Sequence, residues 1–448
     1  MTDFSLPYSQ PEFVSFLDGF LPEDYKMEKE EIDIPFQSKY FEKVTYLGET
    51  DNLNLAVYEV VHTSEHDARV GLTREMFRLM GWFSQKRALV ILVPKNGNTY
   101  RFSLVTIDLK TDENDNPVRE YSNPRRYSFV LGEGAKLHTP QKFLEKTVSD
   151  FEDLLHRFSV EVVNREFYRQ LFDWFQWAVG EVKFPSGKHE EEIIRFTSRM
   201  MFVWFLKQMK LIPEDIFDKN KIDTLLSDTS NSSSSYYKAI LQNLFFATLN
   251  TSMRKDLKTN EAQVREFLPY GKMTNKHGLQ YYYRYKNMLV NPEKFQQLLD
   301  NVPFLNGGLF ECLDERKNET GQKDIWIDAF TQNPKKQDIL IFPNKLFFEP
   351  EKGLLDLFHR YNFTVEESSP IDQNVGLDPE MLGSVFENLL ASFNEETREN
   401  ARNASGSFYT PKQVVDYMSS ESIKQYILKE VPEINEEELK LLFDYSEE

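Results

Sequence analysis

LNLAVYEVVH, Leu53–His62, is followed by TREMFRLMGW, Thr73–Trp82, and then by ALVILVP, Ala88–Pro94. The first stretch is dense in β-branched and aromatic residues and is bounded by Asp51 and Asn52, which predicts a strand. In the second, Met76, Phe77, Leu79 and Met80 recur at the spacing of one helical face. The third is an unbroken apolar run, as a strand buried on both sides requires. Lys95-Asn96-Gly97-Asn98 predicts a hairpin, because Asn and Gly tolerate the positive φ of a tight turn, and Tyr100–Leu109 returns as its partner. Strand, helix, strand, strand is the order of a small α/β domain.

Beyond Thr139 the period changes. Phe143–Phe158, Val160–Ala178, Glu190–Leu211 and Tyr236–Leu249 carry apolar residues at helical spacing, and Ser232–Ser235 reads as a mobile loop between two of them. Residues from about 140 to 400 therefore read as one mostly helical domain, without internal repeats of roughly 20–50 residues. Near the end, Asp378 caps an expected helix over Leu377–Leu390, with Pro379 at its first position. A polar stretch, Asn394–Ser405, precedes GSFYTPKQVVDYM, Gly406–Met418. There Thr410 is the expected N-cap, Pro411 the first helical residue and Gln413 the far side of a capping box, with Val414, Val415 and Met418 on the buried side.

With 448 residues, at about 150 per domain, the chain has length for about three domains, or two large ones. Forty per cent hydrophobic residues, including 37 Phe and 21 Tyr, are enough to fill large cores and exclude a disordered chain. No apolar run nears the ~20 residues that span a bilayer; Met200–Leu206 is short and flanked by Arg199 and Lys207. The first residues lack the basic and apolar regions of a signal peptide, and the single cysteine, Cys312, excludes an intrachain disulfide framework. A cytoplasmic protein without membrane contact is expected.

The net charge is −19. Residues 1–60 hold 13 acidic and 4 basic side chains, whereas residues 61–150 hold 14 basic and 11 acidic. A nucleic-acid site therefore has to be local, with neutral or basic walls set in an acidic body. Residues Val431–Glu448 turn acidic again. The seven histidines include no set with metal-ligand spacing, Asn306-Gly307-Gly308 is not followed by the lysine of a P-loop, and no serine sits in a nucleophile elbow.

The motif at Gly406–Met418 resembles the one that opens the methyltransferase domain of amino-adenine DNA methyltransferases of the γ order. IIRFTSRMMFVWFLKQMKLIP (Ile193–Pro213), LQNLFFATLN (Leu241–Asn250), VPFLNGGLFE (Val302–Glu311) and the stretch Tyr361–Leu390 resemble the helical region that precedes this motif in type IIG restriction–modification enzymes. The likeness runs from roughly 140 to 430 and rests on the order of all five segments. It implies S-adenosylmethionine as cofactor, contacted by Phe408, Tyr409, Thr410 and Pro411. A helix start also offers free N–H groups and a positive dipole end, which suits the cofactor carboxylate.

In such enzymes the N-terminal region resembles a PD-(D/E)XK nuclease, whose chemistry uses two carboxylates on a magnesium ion and a lysine. Asp51 and Glu59 are the candidate carboxylates, but the position two residues after Glu59 is Val61 rather than lysine. Arg69, Arg74 and Arg78 form a candidate phosphate-facing row on one helix. The glycine-rich D-P-x-x-G-S-G signature and the [ND]-P-P-[YF] signature that holds a flipped adenine are absent from this sequence.

The expected architecture is α+β and mostly α. It comprises an α/β nuclease-like domain over 1–138, a helical connector over 139–400 and the first helix of a Rossmann-like methyltransferase domain over 401–448. The resemblance implies the N-terminal part of an adenine-N6 DNA methyltransferase, with or without endonuclease activity. By itself this part is expected to be inactive. The implied partners are double-stranded DNA and a methyltransferase core with a target-recognition region, supplied by the same polypeptide or by another chain. A non-catalytic DNA-binding or assembly subunit is the alternative.

Overall fold

A computed structural model describes residues 2–64, 69–111, 117–251, 253–255, 263–265, 283–305, 308–314, 327–330, 339–364, 372–377, 412–431, 434 and 439. Residues 1–379 form one compact unit and 380–448 a second. The position 138, where a domain boundary was expected, lies inside the first unit, where the chain passes from sheet to helices.

The first unit is built on a mixed sheet. Helix α1 (Gln10–Phe20) precedes β1 (Lys26–Ile32), β2 (Phe41–Thr50) and β3 (Leu55–His62), which form an antiparallel meander. Helix α2 (Arg69–Trp82) then crosses to β4 (Arg87–Pro94), which pairs parallel to β3. Strands β5 (Thr99–Thr111) and β6 (Pro117–Gly132) follow as antiparallel neighbours. Separate from this sheet are two short strands, β7 (Met253–Lys255) and β8 (Gln263–Arg265), paired with one another. The sheet closes with β9 (Asp372–Asn374), parallel to β6, giving the order β1-β2-β3-β4-β5-β6-β9.

The strand and helix patterns of the sequence decide which face meets which layer. Val44, Ala56, Tyr58, Val60, Val90 and Leu92 face Leu72, Met76, Leu79 and Met80 of α2 in one buried cluster. The alternate residues of the strands meet α1, where Phe13 packs against Phe102 with ring centroids 5.1 Å apart. Gly97, with φ +155°, makes the β4–β5 hairpin, as Asn96-Gly97 predicted. Gly48 sits at a shift of register in β2 with φ +119°, where an added Cβ would lie 2.0 Å from the Lys26 carbonyl.

Helices α3 (His138–Leu144), α4 (Phe151–Arg157), α5 (Val160–Glu181) and α6 (His189–Gln208) lead into the helical part. The expected single helix over 143–158 is two helices, because the Asp150 carboxylate accepts the Asp153 N–H at 2.8 Å and caps a new start. Helix α5 is amphipathic, with Val163, Phe167, Leu171, Trp174 and Ala178 buried. Helix α6 is buried nearly all round, from Ile193 to Lys207, and forms the centre of the helical part. The serine run is not a free loop. Asn344 donates its side-chain amide to the Ser230 carbonyl at 3.0 Å and its backbone N–H to the Ser233 carbonyl at 2.7 Å.

In the second unit a helix runs over Lys412–Glu430. Val414, Val415 and Met418, expected on a buried side, are exposed there; its apolar residues follow no single face, and none of its described side chains is buried. The helix expected over Leu377–Leu390 starts at the last residue of a described segment and otherwise lies outside the described residues.

Candidate functional site

Glu59 occupies the middle of β3 on the α1 side of the sheet and is 5 % exposed. Tyr8 donates its phenolic hydrogen to Oε2 of Glu59, and Gln10 donates its amide to both carboxylate oxygens at 2.9 Å. Burial first, and then the Glu59 charge, push the Tyr8 phenol far above its ordinary range. Directly across on β2 stands Thr45, whose hydroxyl is buried without a hydrogen-bond partner among the described residues. The carboxylate is thus held by the chain segment entering α1.

Asp51 lies elsewhere. It sits in the β2–β3 turn, exposed, with its carboxylate 2.6 Å from Lys26 Nζ. Leu55 begins β3 and Glu59 is four residues further on, so about 13 Å of strand separates Glu59 from the turn end. The structure does not bring the two candidate carboxylates together. Among the described residues no group of three His, Cys, Asp or Glu side chains is arranged to hold a metal ion. The described residues therefore do not fit a magnesium centre at Asp51 and Glu59.

Sequence spacing along one strand also missed a lysine. Lys43 of β2 is the register partner of Val61, and directly opposed residues of an antiparallel pair share a face. Lys43 ion-pairs with Glu31 at 2.7 Å, and that contact, with a smaller Coulombic contribution from Glu59, raises its pKa. Only the strand register reveals this lysine.

Of the arginine row, Arg74 and Arg78 lie on the outer side of α2, opposite Leu72, Met76 and Leu79, and are exposed. The Arg78 guanidinium stands 4.4 Å over the Phe36 ring, so one of the two is already stacked on the protein. Arg69 begins the helix, and its side chain lies outside the described residues. Phe408, Tyr409, Thr410 and Pro411 likewise lie outside the described residues; the helix that follows them starts at Lys412.

A groove opens where the parallel strands end. His62, at the end of β3, and Pro94, at the end of β4, border a cavity of about 200 Å³ that also meets Asn96 and Arg101. A second cavity, of about 380 Å³, lies on the other side of Arg101 and is bordered by Lys136, Gln208, Asn362 and Asn374. Both share Thr99, Arg101 and Val130. Arg101 Nη1 donates to Asn374 Oδ1 at the seam between the sheet and the last short strand. Open α/β sheets commonly bind ligands at the carboxyl ends of their parallel strands, which is where this groove lies.

No helix among the described residues is long and apolar enough to cross a membrane. Comparison with known proteins finds a distant and partial relative. A protein of Methanocaldococcus jannaschii, named as a type II restriction enzyme and methyltransferase, is 24% identical over 240 residues. The matched stretch covers 53% of this chain and 15% of that protein. No family model matches the chain, and no solved structure does.

Proposed function

We propose that the chain is the N-terminal part of a restriction–modification protein of type IIG organisation that methylates the N6 of adenine in a specific duplex DNA sequence. The observation that carries this reading is the likeness to a protein named as a restriction enzyme and methyltransferase. The ordered set of segments ending in Phe408-Tyr409-Thr410-Pro411 adds the cofactor and the base. S-adenosylmethionine supplies the methyl group, and those four residues contact it. The remaining cofactor and adenine contacts come from a methyltransferase core outside this sequence.

The test uses the full-length protein. Labelled S-adenosylmethionine and duplex DNA should yield N6-methyladenine, and Thr410→Ala should weaken cofactor binding measured without DNA. Cofactor affinity unchanged by Thr410→Ala overturns the role of that residue; no methyl transfer overturns the reading.

For the sheet itself a second reading has support. Asp51 and Glu59 lie apart, and Glu59 is held by Tyr8 and Gln10. This favours a nuclease-like sheet that serves DNA binding or assembly, as a non-catalytic subunit would. Its β3–α2–β4 crossover has the strand–helix–strand order of the nuclease resemblance.

A further inference from the structure

The polar groove at the ends of β3 and β4 has a chemistry that the rest of the sheet lacks. Helix α2 covers the sheet face over Val44, Val60, Val90 and Val105 with apolar side chains. On that same face, nearer the hairpin, β5 and β6 present Thr99, Arg101, Ser103 and Ser128 instead, and the Ser103 and Ser128 hydroxyls meet at 2.8 Å. The polar end of the face is where the groove opens.

Its charge balance is opposite to that of the chain. Among the described residues lining the two cavities are Arg101 and Lys136 and one carboxylate, Glu133, which accepts the Asn98 amide at 2.6 Å. Lys136 closes no ion pair among the described residues. Burial first, and then the nearby Lys207, lower its pKa, while Glu214, paired with Lys207 at 2.8 Å, acts the other way. The neighbouring donors, Gln208 and Asn362, are amides. Arg101 donates an N–H to Asn374 and borders both cavities. Two cations flanked by amide and hydroxyl donors suit phosphate oxygens.

We propose that this groove seats the sugar–phosphate backbone of duplex DNA, with Arg101 and Lys136 each facing a phosphate. The inference rests on the DNA-directed reading above and places the contact at the strand ends rather than on the outer face of α2.

The experiment measures binding of a labelled duplex to the full-length protein over a series of salt concentrations. Each phosphate contact contributes about 0.9 to the slope of log K against log salt, so Lys136→Ala should lower the slope by about that amount. At 0.1 M salt this corresponds to roughly tenfold weaker binding. Arg101→Gln should do the same. Because it also removes the Asn374 contact, the exposed Lys136 variant is the decisive one, and a variant that only unfolds in part does not change the slope in this graded way. Arg74→Ala with Arg78→Ala is the companion arm, and a slope change carried by that pair alone overturns the proposal.

A slope unmoved by Lys136→Ala overturns it, as does a wild-type protein that binds no duplex. Inorganic phosphate or a nucleoside monophosphate bound through Lys136, with the DNA slope unchanged, assigns the groove to a small phosphate ligand and also overturns it. Cofactor binding without DNA reports only on the methyltransferase reading, so the two fail separately.

Discussion

Lys43 on β2 faces Val61 on β3 across the antiparallel ladder, on the same side of the sheet as Glu59. A lysine and a carboxylate are therefore near neighbours on this surface, but the second carboxylate expected at Asp51 is at the far end of the hairpin. Asp51→Ala should leave any magnesium-dependent plasmid cleavage by the full-length protein unchanged. Its ion pair with Lys26 is exposed and screened by solvent, so stability should be nearly unchanged. Cleavage abolished by Asp51→Ala would show that the two carboxylates do act together.

Tyr8 anchors the entry of α1 to the sheet through Glu59. Tyr8→Phe keeps the ring packing against Tyr100 and Phe13 but removes the donor. A hydrogen bond to a charged, largely buried acceptor contributes about 1.5–3 kcal/mol, so the urea midpoint should fall by a corresponding amount at constant slope. An unmoved midpoint would mean that Gln10 alone satisfies Glu59.

Arg199 ties α6 to two distant segments of the helical part. It is 2 % exposed, donates to the Leu309 carbonyl at 2.7 Å and the Glu311 carbonyl at 2.8 Å, and lies 3.2 Å from Asp328. Arg199→Met removes one member of a buried pair and leaves the Asp328 carboxylate short of charge. The expected loss is about 3–5 kcal/mol in thermal or denaturant unfolding. A loss below about 1 kcal/mol would mean that Arg195, 3.4 Å from Asp328, compensates.

Acid sensitivity should trace in part to Glu166. Arg169 first, then Lys142 and Gln170, hydrogen-bond its carboxylate and hold its pKa down at about 2, against the ordinary 4.5. The folded value is depressed, so this contribution is complete above pH 4.5 and disappears as pH falls through about 2. The cluster is on the surface and screened, which limits it to about 1 kcal/mol. Melting temperatures of Glu166→Gln should fall less steeply over this range than those of the wild type; parallel curves would refute the assignment.

The core of the sheet was legible because its signals are local. Leu53–His62, Thr73–Trp82 and Ala88–Pro94 each carry their own period, and Asn96-Gly97 marks the turn between two strands. The edge was not. β1 reads KMEKEEI, exposed almost throughout, and is a strand only because β2 pairs with it. Charged residues misled in the same way. In the sequence Arg199 is only the charged flank of an apolar run, and its carboxylate partner is 129 residues away. Lys43, Arg101 and Lys136 take their places from strand register and from chain segments far apart in sequence, which no local window contains.

The pairing of β6 with Asp372–Asn374 also governs how this protein comes into being. The Arg101–Asn374 contact joins residues 273 positions apart, and the sheet is complete only when both are present. During synthesis the edge of β6 at Arg126–Ser128 stays open until residue 374 has cleared the ribosome, and an open strand edge is a template for wrong pairing. Folding of such a distant contact is slow, and a polypeptide cut at residue 138 would keep that edge bare for its lifetime.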